Sequence, residues 1–256
     1  MTRVLPRTNF HSSTLIRCLA DLRMVDSVES ESAFAEKLGL WVHFADAITL
    51  SAVHNGSGTT LSTMSSESQV ALAAVVGSDF DRIQTELAKA ITASCSPKAG
   101  KSLIQLPIPV LDLPLDLAAS YAPYRWFYDA HQRDMESRIA PLRLHVRNAL
   151  QKVSPSLEKL ADLDAALEGI LRERENKLLS KIPALLKKHF EYLFRAHQQN
   201  HVDTGQPDNP ATWVQPTGWL AKFCSDMQTL LLAELELRLQ PTMGLVEALG
   251  HNNHNE

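Results

Sequence analysis

The sequence predicts an all-α protein, a helical bundle built on one long antiparallel helical hairpin. Apolar residues recur at every third or fourth position through most of the chain, which is the period of a helix face. The chain has 256 residues, of which 45% are hydrophobic and 21% are charged, and this balance can bury a sizeable core. Proline, glycine and capping residues interrupt the periodic stretches and predict where each helix begins and ends.

Residues 1–95 are predicted to contain the N-terminal helices. The first covers residues 10–23, and a capping-box spacing between Asp26 and Glu29 marks the start of a second. Residues 54–68 are rich in Ser, Thr and Gly, a composition typical of a flexible linker. The apolar stripe of a third helix consists of Leu72, Val76, Phe80, Ile83, Leu87 and Ile91.

A proline-rich connector over residues 96–119 is predicted to be an extended segment, because its prolines exclude it from the centre of a sheet. The predicted hairpin follows, with one arm over residues 120–152 and the other over residues 154–199. The connection between the arms is short, so the arms should pack antiparallel. Pro141 is expected to kink the first arm, and Pro183 to kink or divide the second.

A last helix is predicted over residues 218–240, with Pro241 ending it. We expect this helix and the N-terminal helices to pack around the hairpin. Residues 120–249 would then form the hairpin plus the C-terminal helix, and the whole chain one cooperative domain.

The composition narrows the function classes. The net charge is -4, which disfavours a dedicated nucleic-acid binder. No stretch approaches the ~20 apolar residues that span a bilayer, so we expect no direct membrane insertion and a cytoplasmic protein. Cys18, Cys95 and Cys224 lie far apart without metal-ligand spacing and are expected to be reduced thiols.

Common catalytic signatures are missing from the sequence. It contains neither GxGxxG nor GxSxG, and the segment Gly100–Ser102 ends like a phosphate-binding loop but lacks the leading glycine. These absences favour a protein without catalytic activity or cofactor, but they do not decide the question.

The densest aromatic cluster spans residues 121–128 and is followed directly by charged residues and His131. One interpretation is a helix start that packs its aromatic rings into the core. The other is a contact surface, or a catalytic face with His131 as an acid/base group. That surface would comprise Tyr124, Arg125, Trp126, Tyr128, His131 and Arg133.

Basic residues are frequent in the second arm of the predicted hairpin. A nucleic acid could bind such a stripe through its phosphates. Pairs four residues apart, such as Glu173 with Lys177, fit a solvated helix better. The basic face would comprise Arg172, Arg174, Lys177, Lys181, Lys187 and Lys188.

His197 and His201 stand four residues apart, which places both imidazoles on one face of a helix. With His189 two turns earlier and Asp203 nearby, they form a weak candidate for a metal site. A solvated helix end is the alternative, because the sequence lacks HExxH and a third ligand at a diagnostic spacing.

Several segments resemble those of a known family: Arg7–Phe10 with Leu15–Leu22, Tyr124–Arg147, and Glu234–Pro241 with Gly244–Leu249. Over nearly its whole length the chain resembles the proteobacterial family known as domain of unknown function 3348. Genes of that family tend to lie beside those of an inner-membrane motor or proton-channel-like protein and of an outer-membrane-protein-A-like peptidoglycan binder. The resemblance therefore implies a cytosolic accessory of a cell-envelope complex and carries over no catalytic residues.

We therefore expect a non-catalytic interaction or scaffold protein. Its partner would be a protein, such as an inner-membrane channel-like or envelope protein, or a second copy of the chain. One alternative is a nucleic-acid-associated protein that uses the basic face. The other is a metal-dependent enzyme that uses His189, His197 and His201.

Overall fold

The structure, a computed structural model, describes residues 13–22, 44–55, 65–95, 103–109, 115–204 and 208–252. Within these ranges it contains seven α-helices, one short 3-10 helix and no strand, which confirms the all-α prediction. The helices are α1 (Thr14–Asp21), α2 (Phe44–Asn55), α3 (Ser66–Ser94), α4 (Leu117–Leu150), α5 (Pro155–Leu179), α6 (Ile182–Thr204) and α7 (Trp219–Asn252); the 3-10 helix is Pro210–Thr212.

The N-terminal helices differ from the predicted ones mainly at their ends. The predicted linker 54–68 is helical at both edges, because α2 continues to Asn55 and α3 already begins at Ser66. The middle of that linker and the predicted capping box at Asp26 and Glu29 lie outside the described residues. Four members of the predicted stripe of α3 are buried: Val76, Phe80, Leu87 and Ile91.

Helix α4 begins at a well-formed cap and continues through both of its prolines. The carboxylate of Asp116 accepts hydrogen bonds from the backbone N–H groups of Ala118 and Ala119, at 2.9 and 3.1 Å. This cap satisfies donors that have no partner within the helix. Pro123 and Pro141 both lie inside the helix, and each is exposed, so neither ring displaces a core side chain.

The second arm of the predicted hairpin consists of two helices, because Pro183 divides it. Ser154 caps α5 and Pro155 occupies its first turn, as the sequence predicts. Helix α5 ends at Leu179 and α6 begins at Ile182, so Pro183 stands in the first turn of α6, where its missing N–H costs little. Contacts with α4 are made by both helices.

The prediction that Pro241 ends the last helix is wrong. Helix α7 runs from Trp219 to Asn252 without interruption. Pro241 lies on the exposed side, whereas the buried stripe continues across it with Leu239, Leu245 and Leu249. Burial of these leucines offsets the cost of one lost backbone hydrogen bond, because each contributes about 1.5–3 kcal/mol.

Helix α7 is more central than the sequence predicts. It packs against α1, α3, α4, α5 and α6, whereas α4 packs against α3, α5, α6 and α7. The core is therefore organised around the pair α4 and α7, instead of around the predicted hairpin alone. None of the helices in the described part of the chain is long and apolar enough to span a membrane.

Within the predicted connector 96–119, residues 103–109 have no regular secondary structure, but the prediction of an extended segment is wrong for residues 117–119, which already belong to α4. The backbone N–H of Leu106 donates a 3.1 Å hydrogen bond to the carbonyl oxygen of Ser94, the last residue of α3. This bond holds the segment against the end of α3. The side chains of Leu103 and Ile108 are almost fully exposed.

Candidate functional site

The aromatic cluster at the start of α4 is divided between two faces of the helix. Tyr124, Tyr128 and His131 are buried, with exposed fractions of 4%, 0% and 1%. Trp126 is 75% exposed, and its neighbour Arg125 is exposed as well. Half of the predicted contact surface is therefore core, and the exposed half consists of Arg125, Trp126 and Arg133.

The buried tyrosines of α4 meet aromatic rings of α6 and α7. Tyr124 lies 5.4 Å from Phe223, centroid to centroid, in an edge-to-face arrangement, and 5.9 Å from Phe190. Tyr121 donates its hydroxyl hydrogen to the carbonyl oxygen of Pro183. Burial raises the pKa of both phenols above the ordinary value, so both remain neutral. These rings stabilise the meeting point of three helices.

His131 is a structural group in this fold. Its Nε2 lies 2.9 Å from Oγ of Ser94, and that hydroxyl lies 2.8 Å from the carbonyl oxygen of Ile91. Since the hydroxyl donates to the carbonyl, it accepts from Nε2–H, which assigns the tautomer. Burial lowers the pKa of His131 to about 4, although Asp134 opposes the shift. The imidazole is neutral and satisfied, and its 1% exposure leaves no room for a substrate.

A buried carboxylate that the sequence analysis missed lies beside this cluster. Glu234 of α7 has an exposed fraction of 0%. Its Oε2 accepts from the Tyr128 hydroxyl at 2.8 Å, and its Oε1 accepts from Nε of Arg238 at 2.9 Å. Nε2 of Gln132 lies 3.0 and 3.1 Å from the two carboxylate oxygens. Burial and Glu234 raise the pKa of Tyr128 well above its usual range, so the phenol remains a donor.

The exposed face of α4 carries Trp126 and a second apolar side chain, Leu144, which is 54% exposed. Leu144 stands eighteen positions after Trp126, about five helical turns, so the two lie on one line roughly 27 Å apart. Arg125 stands beside Trp126, with its Nε 3.6 Å from the carboxylate of Asp129, and Arg133 follows two turns later. An exposed tryptophan among arginines is typical of a contact surface, because both residue types are enriched at the centres of interfaces.

The predicted basic face extends over α5, the short connection at Lys181 and α6, and acidic residues lie among its members. Arg172 lies 3.8 Å from Glu136 of α4, and Arg174 is half-buried. The four lysines of this face, Lys177, Lys181, Lys187 and Lys188, are exposed. Nucleic-acid binding by this face stays a prediction.

The predicted histidine set is divided as well, and His189 does not join the other two. Its Nε2 lies 2.9 Å from Oδ2 of Asp226 on α7, and Lys222 pairs with the other oxygen of that carboxylate. Burial opposes the ionisation of Asp226, but the hydrogen bonds from His189 and Lys222 outweigh it and lower its pKa. The buried pair of His189 and Asp226 joins α6 to α7, and the exposed Lys222 lies at its edge. His189 is therefore separate from the group formed by His197 and His201.

His197 and His201 meet a different carboxylate from the one that the sequence suggests. Asp203 accepts a hydrogen bond from Gln199, whereas Asp208 lies 2.9 Å from Nε2 of His197 and 3.7 Å from Nε2 of His201. In the described ranges, His197, His201 and Asp208 are the group whose ligand atoms lie close enough to hold one metal ion. Asp208 lies eleven positions after His197, a spacing that is not diagnostic of a metal site in the sequence.

A groove of about 590 Å³ opens between the ends of α3 and α7 and the segment 103–109. Its walls are mostly apolar and include both Cys95 and Cys224. Burial, and to a smaller extent Cys95, raise the pKa of the Cys224 thiol to about 12. A thiolate nucleophile is therefore not expected at Cys224.

The fold and these sites define an all-α protein in which the buried ionisable groups described above connect helices to one another. Comparison with protein families identifies the family to which the chain belongs. The chain belongs to the family described as "Protein of unknown function (DUF3348)", whose model matches residues 1–251. No curated protein and no solved structure matches the chain.

Proposed function

We propose that this protein is a non-catalytic interaction protein whose partner binds the exposed face of α4 around Trp126. The single observation that carries the proposal is the 75% exposure of Trp126. The other described tryptophans, Trp213 and Trp219, are buried, with exposed fractions of 1% and 7%. When a partner covers a large aromatic side chain of this kind, burial of the ring stabilises the complex.

The surroundings of Trp126 favour a protein partner over an apolar surface such as lipid. Arg125 and Arg133 are exposed near Trp126 on one side of the helix, and the half-buried Asp129 lies between them in the sequence. An apolar anchor beside charged residues is typical of protein interfaces. We propose a partner that offers an apolar pocket bordered by acidic groups, which would pair with the two arginines.

We further propose, from the family resemblance, that the protein acts in the cytoplasm as an accessory of a cell-envelope complex. The partner would then be a cytoplasmic part of an inner-membrane channel-like or envelope protein. A second copy of the chain is the alternative occupant of the same face.

The test places a photo-cross-linking amino acid at position 126 of the full-length protein in its native host. We expect one dominant cross-linked protein, identified by mass spectrometry. The matched control carries the same amino acid at Tyr192 of α6, which is 54% exposed, and should not capture that protein. Equal capture from both positions, or none from position 126, would contradict the proposal.

Affinity then measures the contribution of the ring. With the purified partner, Trp126→Ala should weaken binding by about 2 kcal/mol or more, the range of interface hot spots. Tyr192→Ala should leave the affinity unchanged. Cross-linking to a second copy, with a dimer that Trp126→Ala dissociates, would assign the face to self-association.

A further inference from the structure

The C-terminal end of α6 brings two imidazoles together on one side of the helix. The rings of His197 and His201 lie 4.5 Å apart, centroid to centroid, with an angle of 69° between their planes. Their side chains are 14% and 24% exposed, so the pair is sheltered but open to solvent. This spacing and partial exposure suit two nitrogen ligands that share one ion.

The third group comes from the segment that leads into α7. Oδ1 of Asp208 lies 2.9 Å from Nε2 of His197 and 3.7 Å from Nε2 of His201. Around a tetrahedral zinc ion with bonds of about 2.0–2.1 Å, neighbouring ligand atoms lie about 3.4 Å apart. One distance from Oδ1 of Asp208 to a histidine Nε2 is shorter than 3.4 Å and the other is longer. Small side-chain rotations would therefore bring the three ligand atoms around one ion.

The carboxylate is held by a donor that leaves its ligand role intact. Nε1–H of Trp213 donates a 2.8 Å hydrogen bond to Oδ1 of Asp208. A hydrogen bond of this kind, from a neighbour to a metal ligand, orients the ligand and increases metal affinity.

Backbone contacts that involve no ion fix Trp213 in turn. The carbonyl oxygen of Trp213 accepts from the N–H groups of Leu220 and Ala221, at 3.2 and 3.1 Å. A Cβ atom at Gly218 would lie only 2.1 Å from that oxygen, so glycine is required there. Preorganisation lowers the entropic cost of binding a ligand.

We infer that His197, His201 and Asp208 bind one divalent transition-metal ion of the zinc class and leave a fourth coordination position open to water. Two imidazoles favour such an ion over Mg²⁺ or Ca²⁺, which prefer oxygen ligands. The ion would fasten the segment 208–213 to the end of α6. The inference is independent of the proposed partner face on α4.

The test uses the full chain after removal of metals with a chelator. Titration with Zn²⁺, followed by calorimetry and by metal analysis after dialysis, should give one ion per chain. Co²⁺ should bind in its place and produce the visible absorption bands of a tetrahedral site. His201→Ala and Asp208→Asn should each abolish both the stoichiometric binding and the bands.

Two variants distinguish binding at this site from binding elsewhere on the chain. Trp213→Phe retains all three ligands and should weaken Zn²⁺ binding by about 10- to 100-fold, the usual effect of losing a donor to a ligand. The double variant His251→Ala/His254→Ala removes the imidazoles of the C-terminal tail and should bind Zn²⁺ as tightly as the unchanged protein.

Three results would overturn the inference. The first is an absence of saturable Zn²⁺ binding to the unchanged, folded protein. The second is binding that survives both His201→Ala and Asp208→Asn. The third is loss of binding only in the tail variant. Circular dichroism of each variant checks that it is folded, so that loss of the fold is not mistaken for loss of a ligand.

Discussion

The two sides of α4 use the same residue types in different ways. On the side facing α7, one carboxylate with 0% exposure, Glu234, is surrounded by Tyr128, Gln132 and Arg238. On the side facing α5, arginines pair with acids in a row whose side chains are 11–22% exposed. The members of that row are Arg143, Arg147, Asp164 and Glu168.

The difference shows that access to water, more than the number of contacts, decides how much free energy is lost when a charged side chain loses its partner. A fully buried carboxylate must have its partners, because an unpaired buried charge costs several kcal/mol. At the α5 side, the side chains keep 11–22% of their surface in water, so water replaces part of any lost interaction and salt screens part of the remainder, whereas Glu234 has no contact with water. Both sets hold helices together, but only the buried one makes the fold depend on a single side chain.

The largest effect is expected from Glu234→Ala. The substitution leaves Arg238 in a position where its side chain is only 11% exposed, and it removes the acceptor of Tyr128. We expect the free energy of unfolding to fall by about 3–5 kcal/mol. Urea denaturation followed by circular dichroism measures it. Glu236→Ala, an exposed glutamate of the same helix, is the control, and equal losses for the two would remove the distinction.

The next largest effect is the pH dependence of stability that the buried His131 of α4 produces. Its pKa is about 4 in the fold and about 6.5 when unfolded, so the unfolded chain binds more protons between these values. The contribution of His131 is complete above pH ~6.5 and falls as pH decreases to ~4, by on the order of 3 kcal/mol.

His131→Gln keeps a side-chain donor for Ser94 and removes this titration. Its free energy of unfolding should therefore decline less than that of the unchanged protein between pH 6.5 and pH 4. His145→Gln, at a half-exposed position of the same helix, should follow the unchanged protein. Parallel curves for all three proteins would show that His131 titrates normally in the fold.

A smaller effect is expected on the α5 side from Asp164→Asn. Arg143 and Arg147 donate hydrogen bonds to this carboxylate at 2.5–2.9 Å, and they outweigh burial to lower its pKa. Loss of the charge should cost about 2 kcal/mol in low salt and less at high ionic strength. Denaturation at two salt concentrations measures both values. Asp162→Asn, an exposed position one half-turn away, is the control, and a salt-independent cost would contradict the expectation.

The smallest effect is expected on the open surface of α3. Arg82 pairs with Asp79 at 3.0 Å and with Glu86 at 3.4 Å, and its side chain is 55% exposed. Arg82→Ala should leave the thermal unfolding midpoint unchanged within error, because exposed pairs gain little over their contacts with water. A loss of stability as large as that caused by Asp164→Asn would contradict the expectation that the effect of a substitution decreases as the exposure of the charged group increases.

Sequence reasoning predicted the helical class and several helix ends, because both depend on neighbouring residues. The serine and proline at positions 154 and 155 start α5 wherever the helix packs, since they act on its first turn alone. The rule that a proline ends a helix is local as well, and the prediction that it made for Pro241 is wrong. The rule estimates the loss of one hydrogen bond, but it does not include the leucines that α7 buries on either side.

For the candidate sites, sequence spacing identified the pair His197 and His201 but not their partner. The carboxylate that meets them is that of Asp208, eleven positions after His197, whereas Asp203 accepts a hydrogen bond from Gln199. His189 was grouped with that pair because it lies two turns away on the same helix. In the structure its partner is Asp226, 37 residues later, and no sequence spacing indicates such a contact.

By itself the sequence determined the all-α class, the periodic stripes and the caps of the helices, because hydrogen bonding and side-chain periodicity within a helix are local. Only the tertiary structure decided which aromatic residues of α4 are core and that Trp126 is exposed. It alone placed α7 at the centre and buried Glu234 among its donors. The physical reason is that burial depends on every helix that packs against a residue, whereas periodicity describes only the helix that carries it.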